Sequence, residues 1–139
     1  MRLEVPAQKK LVHEMTVPIR WGDMDAMGHV NNTIYFRYFE IIRLDWIFRV
    51  TGRFELAGEG PLVVNAFCNF IRQLEFPGEL VLKLFVANPG RSSFDTFHTI
   101  ERLDQPGVVY ADGGATTVWT DYAARKAKPM PAWFREHIA

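Results

Sequence analysis

Disulfides, membrane spans and excess charge are all missing from this sequence, and each absence narrows what the chain can be. Cys68 is the single cysteine among 139 residues, so no internal disulfide and no cysteine-built structural zinc site can form. A lone thiol suits a reducing compartment. The amino terminus, M-R-L-E-V-P-A-Q-K-K, lacks the apolar core of a signal peptide, and no apolar run approaches the ~20 residues of a membrane helix. The expected location is cytoplasmic, with no membrane partner. Acidic and basic residues balance at 16 each, which removes the general electrostatic case for nucleic acid as a partner. Internal repeats and low-complexity segments are absent too.

What is present reads as one globular domain over residues 1–139. Hydrophobic residues make up 48% and charged residues 23%, enough for a core that needs neither metal nor cross-link. From His13 to Trp21, Met15, Val17, Ile19 and Trp21 alternate with polar positions. That is the pattern of a half-buried strand, and Pro18 puts it at a sheet edge or a bulge. From Thr33 to Val50 the period changes: Tyr35, Phe39, Ile42 and Trp46 recur at helical steps on one face. Asn31 and Asn32 supply the cap and Gly52 the stop. Residues 53–60 read as a connection.

After Pro61 the chain reads as sheet. Leu62, Val64, Ala66, Cys68, Phe70, Leu74 and Phe76 share one face of a long strand that ends at Pro77-Gly78. Leu80–Ala87, Ser92–Leu103 and Val108–Thr120 follow, separated by Asn88-Pro89-Gly90 and Asp104-Gln105-Pro106-Gly107. The Gly113-Gly114 pair inside the last strand implies a bulge or bend. Met130–Ile138 is expected to form a short closing helix. Tight reversals imply antiparallel neighbours, and one striped helix needs one sheet face to cover it. The predicted fold is α+β, a curved antiparallel five-stranded sheet wrapped around one long central helix.

The chemistry concentrates at the mouth of that helix, in R-W-G-D-M-D-A-M-G-H-V-N-N over Arg20–Asn32. An aspartate carboxyl is ordinarily ionised at neutral pH and serves as nucleophile or general base. A helix amino terminus offers free amides and partial positive charge to an oxyanion. Gly28 lets the backbone approach a ligand closely.

The run Trp21–Tyr35, with Phe39-Glu40 and Arg43, resembles the signature of hotdog-fold acyl-CoA thioesterases of the 4-hydroxybenzoyl-CoA thioesterase type. D-x-x-G-H-V-N-N is its most specific part, and the strand order extends the resemblance over nearly the whole chain. The resemblance implies a thioester hydrolase in which Asp25 attacks the carbonyl or activates water, and in which the Asn32 amide receives the thioester oxygen. It also implies an acyl-CoA substrate, no cofactor or metal, and a homodimer or homotetramer whose sheets join side by side around the active site.

Each candidate also has a plainer reading. Asp23 reads as a loop-fixing residue, and His29 as either a substrate- or water-orienting group or a structural turn residue. Asn31 and Asn32 are caps first, and Tyr35 and Phe39 are core first, with Gly28, Asn31 and Tyr35 kept as substrate-binding candidates. Cys68 reads as a small buried hydrophobe. Arg91 and the Arg125–Lys128 cluster are candidates for coenzyme A phosphates, against the plainer reading of solvated charge. Two rival functions stand beside hydrolysis: a hotdog acyl-thioester hydratase or dehydratase using Asp25 and His29, and a non-catalytic acyl-CoA-binding protein.

Overall fold

The computed structural model describes residues 3–52 and 57–139. In chain order its elements are β1 (Lys10–Pro18), α1 (Asn32–Thr51), β2 (Glu59–Phe70), β3 (Glu79–Ala87), β4 (Ser93–Arg102), β5 (Val109–Asp121), a two-residue β6 (Lys126–Ala127) and α2 (Ala132–Arg135). Every pairing is antiparallel. The sheet runs β1-β3-β4-β5-β2, with β6 beside the end of β5. The expected hotdog architecture is therefore present, five long strands against one long helix. Among the described residues no helix is long and apolar enough to cross a membrane.

Helix α1 forms where its sequence signals place it. The Asn31 side chain accepts a hydrogen bond from the Thr33 amide at 2.9 Å, satisfying a first-turn donor that would otherwise be orphaned. Gly52 ends the helix at φ 78°, a left-handed conformation that glycine adopts without strain. Twenty residues give a rod of about 30 Å. Tyr35, Phe39, Ile42 and Trp46 are all buried, joined by Tyr38 and Ile47. Opposite them lie Leu80, Leu82, Leu84 and Val86 of β3, Phe94 and Ile100 of β4, and Ala111 and Ala115 of β5. At the β1 edge, His13 Nε2 meets Asp45 Oδ2 at 2.6 Å, and Arg49 reaches the same oxygen at 3.0 Å. The His13 hydrogen bond, then that of Arg49, holds the Asp45 carboxyl below its usual range.

The Gly113-Gly114 pair does not make the expected bulge. Both ladders run through it in register, Cys68 and His98 opposite Gly113, Phe67 and Phe97 opposite Gly114. The register shifts fall instead at Val63/Asn65 and Ile100/Glu101. The pair is needed for space. A Cβ on Gly113 would stand 2.3 Å from the Phe67 carbonyl oxygen and 2.8 Å from the Phe39 ring, and one on Gly114 would stand 2.7 Å from the Phe97 ring. Phe39 therefore drops into a notch that only glycine leaves open, and it stacks on His98 with ring centroids 4.5 Å apart.

Four other expectations need correction. β1 ends at Pro18, and Trp21 is 73% exposed, because the Asp23 carboxylate accepts the Arg20 amide and pulls the chain out of the strand. β2 ends at Phe70, so Leu74 and Phe76 are not on it. Residues 71–78 instead carry the chain across from β2, at one edge, to β3, beside β1; no hairpin joins these two strands. The closing helix is shorter than Met130–Ile138, although Met130, Phe134 and Ile138 are all buried. Of the expected connection at 53–60, residues 53–56 lie outside the described residues, and Glu59 and Gly60 already belong to β2.

Gly113→Ala is expected to cost roughly 1–3 kcal/mol through overpacking against Phe39 and the Phe67 carbonyl. Urea unfolding should show a lower midpoint at unchanged slope. An unchanged midpoint would mean that Phe39 moves aside freely.

Candidate active site

The loop between β1 and α1 is built on two aspartates with different work to do. Asp23 Oδ2 accepts from the Arg20 amide at 2.9 Å and from the Tyr38 hydroxyl at 2.8 Å. The Asp23 carbonyl accepts from the Asn31 amide at 2.9 Å. Asp23 thus ties the loop to the helix, as its plainer reading expects. Burial, then the hydrogen bond to the Asp23 carboxylate, pushes the Tyr38 pKa well above its ordinary value, so this phenol stays a donor.

Asp25 is exposed and less committed. Its Oδ1 accepts from the Met27 amide at 2.9 Å, while Oδ2 has no hydrogen-bond partner among the described residues. The backbone around it is closed by Asp25 N–H donating to the His29 carbonyl at 2.9 Å and Gly28 N–H donating to the Asp25 carbonyl at 3.1 Å. Gly28 has φ 81°, and a Cβ there would meet nothing within 4 Å. Its glycine is required by the turn's backbone, not by crowding.

The floor of the site comes from the crossover. The Val30 amide donates to the Leu74 carbonyl at 2.8 Å, and the Leu74 amide donates to the Tyr35 hydroxyl at 3.3 Å. Burial raises the Tyr35 pKa, which keeps that hydroxyl protonated. Arg102 holds the same segment from outside, donating to the Glu75 carbonyl at 3.1 Å and the Pro77 carbonyl at 3.0 Å.

Between loop, helix mouth and crossover lies an open depression lined by Asp25, His29, Asn32, Tyr35, Phe70 and Gln73, with Met27 and Val30 completing it. Asn32 is the first residue of α1, and its amide has no hydrogen-bond acceptor among the described residues. Asp25 and Asn32, the first residue of a helix whose amino-terminal end carries partial positive charge, thus line the same depression. His29 Nε2 lies 3.3 Å from Glu75 Oε1, which orients the ring from the crossover side.

The structure thus brings together Asp25, His29, Asn32 and Tyr35. Asn31 stands apart because its side-chain oxygen is spent on the cap, accepting from the Thr33 amide and from the Thr33 hydroxyl at 2.6 Å. Arg91 is remote within the chain. It precedes Ser93, which pairs with Val118, whereas the depression adjoins Phe70, which pairs with Ala111 at the other end of β5. That separation is about 23 Å at roughly 3.3 Å per residue. Lys128 pairs with Glu59 at the same far end. Burial pushes the Cys68 thiol up to about 12, so it is no thiolate nucleophile at neutral pH.

The family model described as the thioesterase-like superfamily matches residues 19–138. The chain belongs to the thioesterase-like superfamily. Among solved structures it is similar to the PA2801 protein of Pseudomonas aeruginosa, an inferred thioesterase, at 37% identity and TM-score 0.87, over 94% of this chain and 100% of that one. XC229 of Xanthomonas campestris, an inferred acyl-CoA thioesterase, is 34% identical with TM-score 0.79, over 87% of this chain and 100% of that one. A Thermus thermophilus thioesterase complexed with coenzyme A and Zn is 26% identical with TM-score 0.79, over 90% of each chain.

Within this superfamily member, the site residues that sequence reasoning missed all bear on the crossover. Gln73 and Phe70 line the depression from the end of β2 and the segment after it, more than forty positions beyond Asp25. Arg102, on β4, positions that segment through its two carbonyl contacts. The one local signal is the loss of alternation at Phe70-Ile71, two adjacent apolar residues that a half-buried strand would point to opposite faces.

Proposed function

We propose that this protein hydrolyses an acyl-CoA thioester to the free acid and coenzyme A at the Asp25 depression. The observation that carries this reading is the pairing of two unengaged groups on one depression: the second carboxylate oxygen of Asp25 and the Asn32 amide at the positive end of α1. A thioester already has a good leaving group, so the site needs a placed base or nucleophile and a home for the developing charge. Asp25, anchored through Oδ1, presents Oδ2 either to a water, drawing its proton as the water attacks, or directly to the carbonyl carbon. The carbonyl oxygen, becoming an oxyanion, accepts from the Asn32 amide, a donor already in place and worth roughly 10²–10³ in rate. Collapse breaks the C–S bond and the thiolate leaves; on the water route this gives the free acid at once, and on the direct route it leaves an anhydride on Asp25 that a water then hydrolyses, releasing the acid and restoring the carboxylate. His29, steered by Glu75, is placed to orient the water or the substrate. The acyl-CoA thioesterase and coenzyme A-bound relatives support coenzyme A as the carrier.

In the proposed active form two chains pair along β2. That strand is an edge, and its Leu62, Val63 and Val64 are 49%, 40% and 54% exposed. Phe70, Ile71 and Met27 extend the apolar surface to the rim of the depression, exposed by 48%, 44% and 79%. An unpaired apolar edge of this kind calls for a partner, and a second copy would shelter Asp25 from bulk water. Two β2 strands related by a two-fold axis run antiparallel. The β3–β4 turn of the second copy then falls at the same end of the sheet as Asp25, which returns Arg91 to the site as a phosphate ligand from across the seam.

With a panel of short, medium, long and aromatic acyl-CoA esters, the wild type should release free thiol, and Asp25→Asn should fold normally yet lose roughly 10²- to 10⁴-fold in turnover. Undiminished turnover by that variant would remove Asp25 from the chemistry. Sedimentation should give the mass of two or more chains for the wild type and of one chain for Val64→Lys, with turnover lost alongside. A wild type that sediments as a single active chain would contradict the paired form.

A further inference from the structure

His98, 0% exposed, is an ionisable group sealed inside the protein that the chemistry at Asp25 leaves unused. Leu84 and Gly113 flank it in the sheet, and α1 closes over it. The Phe39 ring stacks on the imidazole with centroids 4.5 Å apart. Arg43, one turn further along the helix, donates from Nη1 to His98 Nε2 at 3.4 Å. A guanidinium only donates, so this ring nitrogen accepts, and the imidazole is neutral with its proton on Nδ1. Nδ1 has no well-formed hydrogen bond among the described residues.

The surroundings of the ring favour that neutral form. From α1 it meets the Arg43 cation; Glu40, which acts on Arg43, is itself paired with Arg37 at 2.6 Å. The residues of β3 on this face, Leu84 and its neighbours Leu82 and Val86, are apolar. Beyond Gly113 on β5 comes Cys68 of β2, whose thiol burial keeps protonated. The nearest carboxylates along the strands, Asp112 and Glu101, are on the sheet's other face, held there by Asn69 at 2.8 Å and Lys83 at 3.2 Å. Burial first, and the Arg43 charge second, push the His98 pKa well below its ordinary value, with a backbone contact to Gly113 opposing them in part. The Phe39 face would attract an imidazolium. Against that, a proton on Nε2 would set N–H against N–H and cation against cation where water is excluded.

We propose that His98 is an acid-sensitive latch for α1: while neutral it seats Phe39 and Arg43 against the sheet, and on taking a proton it drives that stretch of the helix off the sheet. Because α1 is what covers the ring, solvent and protons reach it when the helix lifts. In the unfolded chain a histidine takes its proton near pH 6.5, whereas folded His98 does so only well below that. Stability from this group is therefore fully present above about pH 6.5 and is lost as the pH falls beneath it, the unfolding constant rising up to about tenfold per pH unit. The same helix carries Asn32 at the depression and, through Tyr38, holds the Asp23 anchor. Acid release would thus dismantle the active site, and that last link alone rests on the function proposed above.

Long-range ¹H–¹⁵N NMR of the labelled full chain, titrated from about pH 7.5 to about pH 5, reads the ring directly. Folded protein should keep His98 neutral and protonated at Nδ1 throughout. Over the same range the amides of α1 around Phe39 and Arg43 should open more often to hydrogen exchange, beyond the intrinsic effect of pH. Urea unfolding should show the wild type losing stability more steeply than His98→Gln, by up to about tenfold in the unfolding constant per unit below about pH 6.5. The other histidines are common to both proteins, so the difference isolates His98. An imidazolium at His98 in folded protein near pH 6, or the same pH dependence in a folded His98→Gln, would overturn the latch. Should His98→Gln fail to fold, α1 exchange in the wild type that does not rise with acid overturns it equally. None of these readouts uses turnover, so a protein without thioesterase activity tests the latch just as well.

Discussion

Asp23 is the constraint on which the site depends. One carboxylate oxygen takes hydrogen bonds from Arg20 ahead of the loop and from Tyr38 on the second turn of α1, while the Asp23 carbonyl takes the Asn31 amide at the helix cap. Three attachments at one residue fix where the loop leaves the sheet, where it meets the helix and how far apart those points are. Charge-assisted bonds of this type are stronger than neutral ones, and the Tyr38 partner is buried, which shields its bond from water. Asp25, two residues on, inherits a fixed backbone while its side chain stays at the surface. Of the two acids, Asp23 supplies the rigidity, and Asp25 keeps the exposed carboxylate on which the proposed chemistry rests.

The helix in turn depends on how closely the sheet lets it approach. Phe39 fills the notch at Gly113 and stacks on His98, and Tyr35, one turn earlier, and Tyr38, the preceding residue, are buried on the same helix. Tyr35 then reaches the Leu74 amide, and Tyr38 reaches Asp23. A glycine on β5 is therefore linked by packing to the geometry of a loop near the amino terminus. Close-packed interiors transmit such displacements because no void is available to absorb them.

Much of this was legible in the sequence, and the limits have physical causes. The helix, its asparagine cap, its glycine stop and its buried face follow from local chemistry with a 3.6-residue period, and the loop's role follows from acids placed before a cap. Strand alternation is equally local, but it reports which face is apolar and says nothing about which strand lies beside which. Hence β2 read as one long strand continuous through Leu74 and Phe76, although it is an edge strand that ends at Phe70 and Leu74 belongs to a crossover. Trp21 read as a strand residue because alternation ignores the pull of Asp23 on Arg20. The glycine pair read as a bulge or bend, and the ladders show no bulge there; crowding by Phe39, over seventy positions away in sequence, leaves no local mark. Arg91 carries the right charge, and only the strand order places it at the far end of its own chain.

The central claim is that the reacting carbonyl is held where the loop meets the helix, with its oxygen on the Asn32 amide beside Asp25. Backbone amide NMR of the ¹⁵N-labelled protein, titrated with a non-hydrolysable acyl-CoA analogue that keeps the carbonyl but replaces sulfur by methylene, tests this most directly. The account predicts a saturating downfield shift of the Asn32 amide proton, with smaller changes at Met27, His29 and Gln73. Saturable binding that leaves Asn32 unmoved would contradict it.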